Sequence, residues 1–501
     1  MMTSGLGRFA LGRPFPDREH AVCVSLPTVR DLVGYEEKDP RVLETMASGY
    51  PRFVRHRRIV QLIDYLDRKS GEDGMTRFLV SDQEACEEAI LYCSADQARV
   101  IRETGFSSLL VPKGTDQSER VSMFLQHSGI GISSRRAEDV LLREGQIQSA
   151  ESTTLMDDPA GLVREIIAKA HGPEIFPEDV LLGSSGANAF YALFREASKQ
   201  AESSGKDLWI RLGWLYLDTI EVMDLLAGET VQIDDPRDCG KVEAIFNEYG
   251  PRIAGIVTEF PTNPLMQACD LQRIRSLCEK WNSLLVVDPT MTSPKNAKVS
   301  GLADVIVNSL TKYAGCEGDV MMGSLVFPSG SDRGRKLLEG TASRLCPPYR
   351  GDLLRMAEQI PLYNDFIENA NHSLPHVVSF LEGHSKVKAV YWAYQSSNQG
   401  NFEELAGPDR PGCVASFEVD GSFKDFYDNL PMLKSPSFGT RFSLCCPYVY
   451  LAHYKLIKSE TGLEELKRAG LSPFLCRLSV GTEQPDQIID AVDEGLRALE
   501  Q

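Results

Sequence analysis

The sequence has few histidines, no closely spaced cysteine pairs of the redox or zinc type, and no long apolar segment. Its 501 residues include 8 histidines and 12 cysteines, and no two cysteines have CxxC spacing. We therefore expect reduced thiols, no metal site and a reducing, cytoplasmic location. No apolar run approaches the roughly 18 residues that a membrane-spanning helix requires, so we expect no membrane partner.

The chain also has fewer basic residues than acidic residues. The chain has 53 Lys and Arg against 71 Asp and Glu, which gives a net charge of -18. This excess of negative charge argues against nucleic acid and anionic membranes as partners. Hydrophobic residues make up 42% of the chain and charged residues 25%, which is typical of a globular enzyme. At this length we expect more than one domain.

Residues 305–313 place a lysine directly after an apolar, β-branched run. Such a run predicts a buried strand of a parallel sheet, and Ser309, Thr311 and Lys312 follow at its end. Open α/β sheets bind ligands just past the carboxyl ends of their strands. A poorly solvated lysine there can act as a nucleophile toward a carbonyl group. Taken alone, Lys312 would more simply be a surface lysine that closes a strand.

Two more predicted strands end in complementary groups. Residues 283–288 form an apolar run that ends at the carboxylate of Asp288. Residues 180–182 lead into a glycine-containing turn, with Ser185, Gly186 and Ala187 at the start of a predicted helix. Free backbone N–H groups at a helix start bind phosphate. A phosphate anchor, a carboxylate and an amine are the three groups that a pyridoxal phosphate (PLP) site needs.

Three motifs in order along the chain support this interpretation. Residues 309–313, with Gly-Asp-Val at 318–320, resemble the lysine motif of the Cys/Met-metabolism PLP enzymes, the cystathionine γ-synthase family. Residues 259–264 resemble the E-x-P-T-N-P segment of that family, and residues 476–481 resemble its carboxyl-terminal R-L-S-V-G motif. The resemblance extends from about Tyr50 to the end of the chain and is greatest to fungal members, which carry a comparable insert.

The resemblance implies roles for individual residues. Lys312 would bind PLP covalently, Asp288 would pair with the ring nitrogen, and the planar fork of Arg477 would bind the substrate α-carboxylate. The expected substrate-binding residues are Asn263, Ser437 and Arg477. The expected cofactor-binding residues are Tyr50, Arg52, Ser185, Gly186, Ala187, Leu212, Asp288, Ser309, Thr311 and Lys312.

Residues 49–52 resemble the Y-x-R motif of the family, whose tyrosine and arginine reach the cofactor phosphate of the neighbouring subunit. The resemblance thus implies a homo-oligomer, a dimer of dimers with shared active sites, to which Tyr50 and Arg52 contribute. An interface or surface loop is the alternative for this segment. In that case Arg135 or Arg136 could supply the arginine instead.

Residues 211–216 depart from the family pattern. Family members carry an aromatic ring just before a glycine, where it stacks on the pyridine ring and serves in proton transfer. The matching position here is Leu212, which precedes Gly213. We therefore expect either that Tyr50 or Tyr216 takes over the proton transfer, or that the leaving group departs as a carboxylate, which needs little help from an acid. The second alternative suits an O-acyl ester better than cystathionine or methionine. The departure also favours a specialised substrate.

The fold expected from the resemblance is α/β, a PLP-dependent transferase of the aspartate aminotransferase type (fold type I). It would have a mostly parallel seven-stranded sheet and a smaller C-terminal α/β domain. Residues 271–281 carry an apolar stripe with helical spacing, which predicts a crossover helix on that sheet. The predicted segments are an N-terminal extended arm, 1–60; an inserted α/β segment, 61–160; a large PLP-binding domain, 161–345; and a small C-terminal domain, 346–501.

The reaction that the resemblance implies is γ-replacement on an O-acyl-L-homoserine, with O-acetyl-L-homoserine as the expected substrate. The second nucleophile would be L-cysteine or a carbon nucleophile of a fungal specialised pathway. Two alternatives stay open: a cystathionine or methionine γ-lyase, and an inactive homologue with a structural or regulatory role.

Overall fold

The structure is a computed structural model that describes residues 4–46, 50 and 54–500. In its N-terminal part, two small sheets alternate with helices. The strands are β1 (Pro14–Phe15), β2 (Cys23–Val24), β3 (Met75–Val80), β4 (Arg99–Arg102) and β5 (Ser107–Pro112). The helices are α1 (Val29–Glu36), α2 (Pro40–Leu43), α3 (Arg57–Ser70), α4 (Gln83–Cys93), α5 (Asp116–Ser128) and α6 (Ser134–Arg143).

The middle of the chain alternates between strands and helices. The strands are β6 (Val180–Gly183), β7 (Leu208–Leu212), β8 (Glu229–Ile233), β9 (Ile253–Glu259), β10 (Leu284–Asp288), β11 (Val305–Ser309) and β12 (Gly323–Val326). The helices are α7 (Pro159–His171), α8 (Gly186–Ser203), α9 (Leu217–Leu226), α10 (Cys239–Tyr249), α11 (Leu271–Trp281), α12 (Asp332–Arg335) and α13 (Leu338–Arg344).

The C-terminal part combines short strands with long and short helices. The strands are β13 (Val387–Tyr391), β14 (Val414–Val419), β15 (Leu433–Lys434), β16 (Leu444–Pro447) and β17 (Cys476–Ser479). The helices are α14 (Arg350–Gln359), α15 (Tyr363–Gly383), α16 (Asn401–Ala406), α17 (Phe423–Asn429), α18 (Tyr448–Ala452), α19 (Tyr454–Ile457), α20 (Glu460–Arg468) and α21 (Pro485–Arg497).

The central sheet of the described chain has seven strands in the order β6-β12-β11-β10-β9-β7-β8. The five strands from β11 to β8 are parallel, whereas β12 is antiparallel to both of its neighbours. All seven residues of β9 are buried, which matches the continuous apolar character of its sequence. The predicted mostly parallel seven-stranded sheet is confirmed.

Helix α11 shows why the crossovers form where the sequence predicts them. The side chain of Asp270 accepts a hydrogen bond from Arg273 N at the start of α11, and Asn282 ends it with a left-handed conformation. Between them Leu271, Ile274 and Cys278 are buried against the sheet. Burial of one such large aliphatic side chain contributes about 1.5–3 kcal/mol. The stripe therefore fixes which face of the helix packs on the sheet.

The smaller C-terminal sheet has the order β13-β14-β17-β16-β15 and is mostly antiparallel. Residues 4–26 run along its β15 edge. There Gly5 O accepts from Leu433 N at 2.7 Å, and Lys434 O accepts from Leu26 N at 2.9 Å. The segment predicted as an extended arm also contains α1 and α2, because Thr28 and Asp39 supply N-caps. The division of the chain at residues 60, 160 and 345 stays a prediction.

The inserted segment is a three-stranded antiparallel sheet, β3-β5-β4, covered by helices on both faces. Phe78 and Val80 of β3 pack in the cluster with α4, α5 and α8, whereas Leu79 packs in the cluster with α3 and α6. This alternation is the two-residue periodicity of a strand that is buried on both sides. Because the first cluster includes α8, the insert packs directly on the central domain.

Within residues 4–46, 50 and 54–500, no helix has both the length and the apolarity to cross a membrane.

Candidate active site

The carboxyl ends of β9, β10 and β11 meet at one edge of the central sheet, and a cavity of about 70 Å³ lies there. The sheet thus brings together side chains that are far apart in the sequence. Of the predicted site residues, the cavity is lined by Tyr50, Ser185, Gly186, Ala187, Tyr216, Asn263, Asp288, Ser309, Thr311 and Lys312.

Lys312 is buried at the end of β11, with 8% of the residue exposed. Its Nζ donates to Ser437 Oγ at 2.8 Å and to Tyr50 Oη at 3.3 Å, and it lies 5.4 Å from the ring centre of Phe438. Ser437 has a φ of 104°, a conformation that non-glycine residues rarely adopt, and such strain clusters at functional sites. The amine is therefore held by two hydroxyls at a wall of the cavity.

Asp288 ends β10 and faces the same cavity. Burial raises the pKa of its carboxyl group to about 6, against the opposing effect of Thr290, whose N–H donates to Asp288 Oδ1 at 2.8 Å. Thr290 also accepts from Ser309 N at 3.0 Å through its hydroxyl. Thr290 thus ties two strand ends together. Thr290 was not among the predicted site residues, although its position two residues after the carboxylate of Asp288 indicates that it lies near the cavity.

The turn between β6 and α8 has the features of an anion site. Ser185 caps the helix, since its Oγ accepts from Asn188 N at 3.1 Å. A Cβ on Gly186 would lie 3.0 Å from Ser309 Cβ, so the helix start packs so closely on the end of β11 that a side chain would require a small shift there. Ser185, Gly186 and Ala187 line the cavity, so the N-terminus of this 18-residue helix lies at the cavity edge.

Arg477 lies in β17 and is 5% exposed. Its Nη1 donates to Asn263 Oδ1 at 2.8 Å, and its Nη2 donates to Ser437 O at 2.9 Å. Its guanidinium carbon lies 4.9 Å from the ring centre of Phe438 and 5.2 Å from that of Tyr448. Within the described chain its buried Nε has no hydrogen-bond partner and it forms no ion pair. A buried guanidinium with an unsatisfied N–H is costly, so the arrangement suits an anionic ligand.

Glu259 ends β9 and organises the neighbouring loop. Its Oε1 accepts from Tyr216 N at 2.6 Å and its Oε2 from Asn263 N at 2.9 Å. Burial, and to a lesser extent the nearby Asp288, raise the pKa of Glu259 to about 8. Glu259 belongs to a predicted motif but had no predicted role, and the structure shows that it positions two residues of the cavity wall.

The prediction that Leu212 faces the cofactor is wrong. Leu212 is fully buried in the hydrophobic core with Ile233 and Phe260, and it does not line the cavity. After it, Gly213 adopts a φ of 86° and the chain turns, so that Tyr216 reaches the cavity wall instead. A phenol is therefore present at the cavity, four residues further along the chain than Leu212.

The structure describes two of the three arginines that were predicted as candidates to bind the cofactor phosphate. Arg52 lies outside the described residues. Arg135 donates to Asp319 O, Glu151 Oε2 and Asp352 Oδ1, which argues against it as a free anion ligand. Arg136 lies over the ring of Tyr349. Tyr50, expected to reach a neighbouring subunit, contacts Lys312 of its own chain.

The donor set as a whole fits PLP. The helix start at Gly186 would hold the phosphate, Lys312 would bind the aldehyde carbon, and Asp288 would face the ring nitrogen. The orphaned Nε of Arg477 leaves a donor for a carboxylate close to the same amine, because Ser437 contacts both residues.

Comparison with known proteins agrees with this fit. The sequence model of a family described as Cys/Met metabolism PLP-dependent enzyme matches residues 176–497. The chain is 33% identical over 482 residues to the L-2-amino-4-chloropent-4-enoate dechlorinase/desaturase of Streptantibioticus cattleyicolor, covering 95% of this chain and 96% of the relative. It is 25% identical over 636 residues to the cystathionine gamma-synthase of Neurospora crassa, covering 98% and 99%.

Solved structures confirm the predicted fold. Cystathionine gamma synthase from Xanthomonas oryzae pv. oryzae, in complex with aminoacrylate and cysteine, aligns with a TM-score of 0.57 at 21% identity, over 69% of this chain and 87% of that chain. Cystathionine gamma-lyase from Lactobacillus plantarum, complexed with L-serine, aligns with a TM-score of 0.59 at 20% identity, over 71% and 91%. This chain belongs to the PLP-dependent enzymes of Cys/Met metabolism, and its cofactor is PLP.

Proposed function

We propose that the protein catalyses γ-replacement on an O-acyl-L-homoserine, with O-acetyl-L-homoserine as the first substrate to test. The observation that carries this proposal is the buried guanidinium of Arg477 beside the amine of Lys312, because its Nε has no hydrogen-bond partner among the described residues. Ser437 joins them, since its carbonyl binds Arg477 and its hydroxyl binds Lys312. An amino acid whose carboxylate binds Arg477 would thus present its α carbon to Lys312.

The roles of the chain's own groups follow from this placement. Bound PLP withdraws electrons from the substrate carbons and so lets protons leave them. The Lys312 amine, held by Ser437 and Tyr50, would remove the proton from Cα and carry protons to and from Cβ. Asp288 would keep a proton on the ring nitrogen by charge pairing in a poorly solvated site.

The γ leaving group departs next. A carboxylate leaves an ester with little help from an acid, whereas a departing thiolate gains more from protonation. Tyr50 and Tyr216 both line the cavity, so a phenolic acid is available to either kind of leaving group. Because a phenolic acid is available, Leu212 gives no reason to expect slow cleavage of cystathionine. An assay therefore has to distinguish γ-replacement from the γ-lyase alternative. The placement of Lys312, Asp288 and Arg477 argues against a catalytically inactive homologue.

A second candidate function is γ-elimination of chloride from an unsaturated amino acid. It is supported by the relative that is 33% identical over 95% of this chain and acts on 2-amino-4-chloropent-4-enoate. Carbon 4 of that substrate is the γ carbon, the same carbon that bears the acyloxy group of an O-acyl-homoserine. The two candidates therefore share the leaving-group position and differ in whether a nucleophile is added.

The test compares four reactions of the purified holoenzyme. It is incubated with O-acetyl-L-homoserine and L-cysteine, with the ester alone, with cystathionine alone, and with L-2-amino-4-chloropent-4-enoate. Products are weighed by mass spectrometry, chloride and 2-oxobutyrate are measured, and Lys312→Ala serves as the inactive control. Cystathionine formed from the ester supports the proposal. Faster release of chloride favours the second candidate, and faster cleavage of cystathionine than of the ester overturns both in favour of a lyase.

If cysteine gives no product, a β-keto acid or an aldehyde replaces it as a source of carbon nucleophiles.

We also propose that the enzyme works as a homo-oligomer, a dimer of dimers, as the family resemblance implies. Light scattering on the eluted protein gives its mass, and a monomer of full activity would contradict the assembly.

A further inference from the structure

The inserted segment contacts the turn that precedes α8. Helix α5 ends at Ser128, and Gly129 caps it. Gly129 O accepts from Ser184 Oγ at 3.2 Å, and Ser128 O accepts from Asn188 Nδ2 at 3.3 Å. Both donors belong to the turn or to the first helical turn at the predicted phosphate site. The insert therefore holds this turn through two backbone carbonyls.

Gly129 leaves no room for a side chain at this contact. Its φ is 65°, and a Cβ would lie 2.6 Å from Ser185 Oγ and 3.0 Å from Asn188 N. Ser185 Oγ is the atom that caps α8. A methyl group on residue 129 would thus displace Ser185 Oγ, the cap of the helix whose N-terminus lies at the cavity. This atom is fixed by the cap and is not the end of a mobile surface side chain.

The same end of α5 also contacts the segment that carries Tyr216. His127 Nδ1 donates to Asp218 Oδ1 at 3.0 Å, and Asp218 is 1% exposed. Asp218 lies in the first turn of α9, two residues after Tyr216. Residues 127–129 therefore touch both the turn at the start of α8 and the segment that carries Tyr216.

We propose that residues 127–129 of the insert, here called the clamp, are positioning residues for PLP binding. The clamp acts through Ser184, Ser185 and Asp218, which lie between it and the cavity. Its backbone keeps the α8 start in place for the phosphate, and His127 keeps the Tyr216 segment in place for the ring. The inference rests on PLP dependence alone and is independent of which γ-substituted amino acid is the substrate.

The first test is Gly129→Ala with two matched controls. Gly114→Ala introduces the same backbone strain, because Gly114 has a φ of 71°, but its Cβ would meet nothing within 4 Å. Gly131→Ala changes the same loop, and its Cβ would meet only Leu79 O at 3.6 Å. For each protein, PLP is titrated into the apoenzyme, and the unfolding temperature of the apoenzyme is recorded.

We expect Gly129→Ala to raise the dissociation constant of PLP by about tenfold, which corresponds to about 1.4 kcal/mol. We expect the two controls to bind PLP as the native protein does. If Gly129→Ala binds PLP as tightly as Gly114→Ala, the backbone part of the clamp has no positioning role.

The second test, which also covers a failure of Gly129→Ala to fold, uses His127→Ala and His127→Gln. Alanine removes the ring nitrogen that bonds Asp218 Oδ1, whereas glutamine keeps a side-chain N–H donor. We expect alanine to weaken PLP binding and to change the visible circular dichroism of the bound cofactor, and glutamine to restore both in part. An unchanged dissociation constant and spectrum in His127→Ala would overturn the proposed link to the Tyr216 wall.

Discussion

Replacing Asp288 by asparagine should stabilise the apoenzyme and at the same time disable the holoenzyme. Without PLP, burial of the Asp288 carboxyl group raises its pKa from 3.8 to about 6. A raised pKa means that the folded state binds this proton more tightly than the unfolded state does. The contribution to stability is therefore present at low pH and is lost as the pH rises through about 6.

The size of the effect follows from the same shift. Moving a pKa from 3.8 to about 6 costs the folded apoenzyme about 3 kcal/mol at pH 8 and about 1.6 kcal/mol at pH 5. Asparagine keeps an oxygen for the N–H of Thr290 but cannot ionise. It also removes the negative charge that helps to raise the pKa of Glu259. Ionisation of Glu259 then costs the folded apoenzyme less, which adds to the gain in stability at high pH. The stability gain should thus grow by at least about 1.4 kcal/mol between pH 5 and pH 8.

The assay is urea denaturation of both apoenzymes at several pH values between 5 and 8, followed by the same measurement with saturating PLP. A constant difference between the two apoenzymes across this range would refute the reasoning, because a constant offset reflects packing and not ionisation. With PLP bound, the carboxylate would have a partner in the ring nitrogen. We therefore expect Asp288→Asn to lower kcat by about 10²–10³-fold despite its more stable apoenzyme.

Three further predictions concern the amine, the carboxylate site and the tyrosine. Borohydride reduction of the holoenzyme should fix the cofactor mass to the peptide that contains Lys312, Lys312→Ala should be inactive, and a label elsewhere contradicts the assignment. Arg477→Lys loses the planar fork, so kcat/KM should fall by about 10- to 100-fold, mainly through KM, whereas Arg410→Lys on the surface should change neither. Because Tyr50 contacts Lys312 of its own chain, mixing Tyr50→Phe with Lys312→Ala subunits should restore no activity. Recovery after confirmed subunit exchange would show that Tyr50 acts across an interface.

The groups at the strand ends could be predicted because they depend on local sequence. An apolar run of five to seven residues that ends in a polar side chain defines both a buried strand and the side chain at its carboxyl end. Asp288, Ser309 and Lys312 follow this rule, and parallel pairing of β9, β10 and β11 then places them at one edge. Helix starts follow from capping residues in the same way.

The sequence named Tyr50, Tyr216 and Leu212 as candidates for the cavity wall but could not decide which of them reach it, because that depends on turns and on contacts between distant segments. The family pattern places the stacking residue directly before a glycine, which indicated Leu212. The left-handed conformation of Gly213 turns the chain there, so Tyr216 reaches the cavity instead. Nor does any local pattern reveal that Tyr50 lies on Lys312, 262 residues away.

The environment of Arg477 also arises only in the folded chain. Its identity and its strand were visible in the sequence, but its pairing with Asn263 and its place between Phe438 and Tyr448 were not. Residue type and periodicity thus determined the chemistry that this protein carries. Packing between segments far apart in the chain decided which side chains meet around it, because hydrogen bonds and dispersion contacts depend on distance in space and not along the sequence.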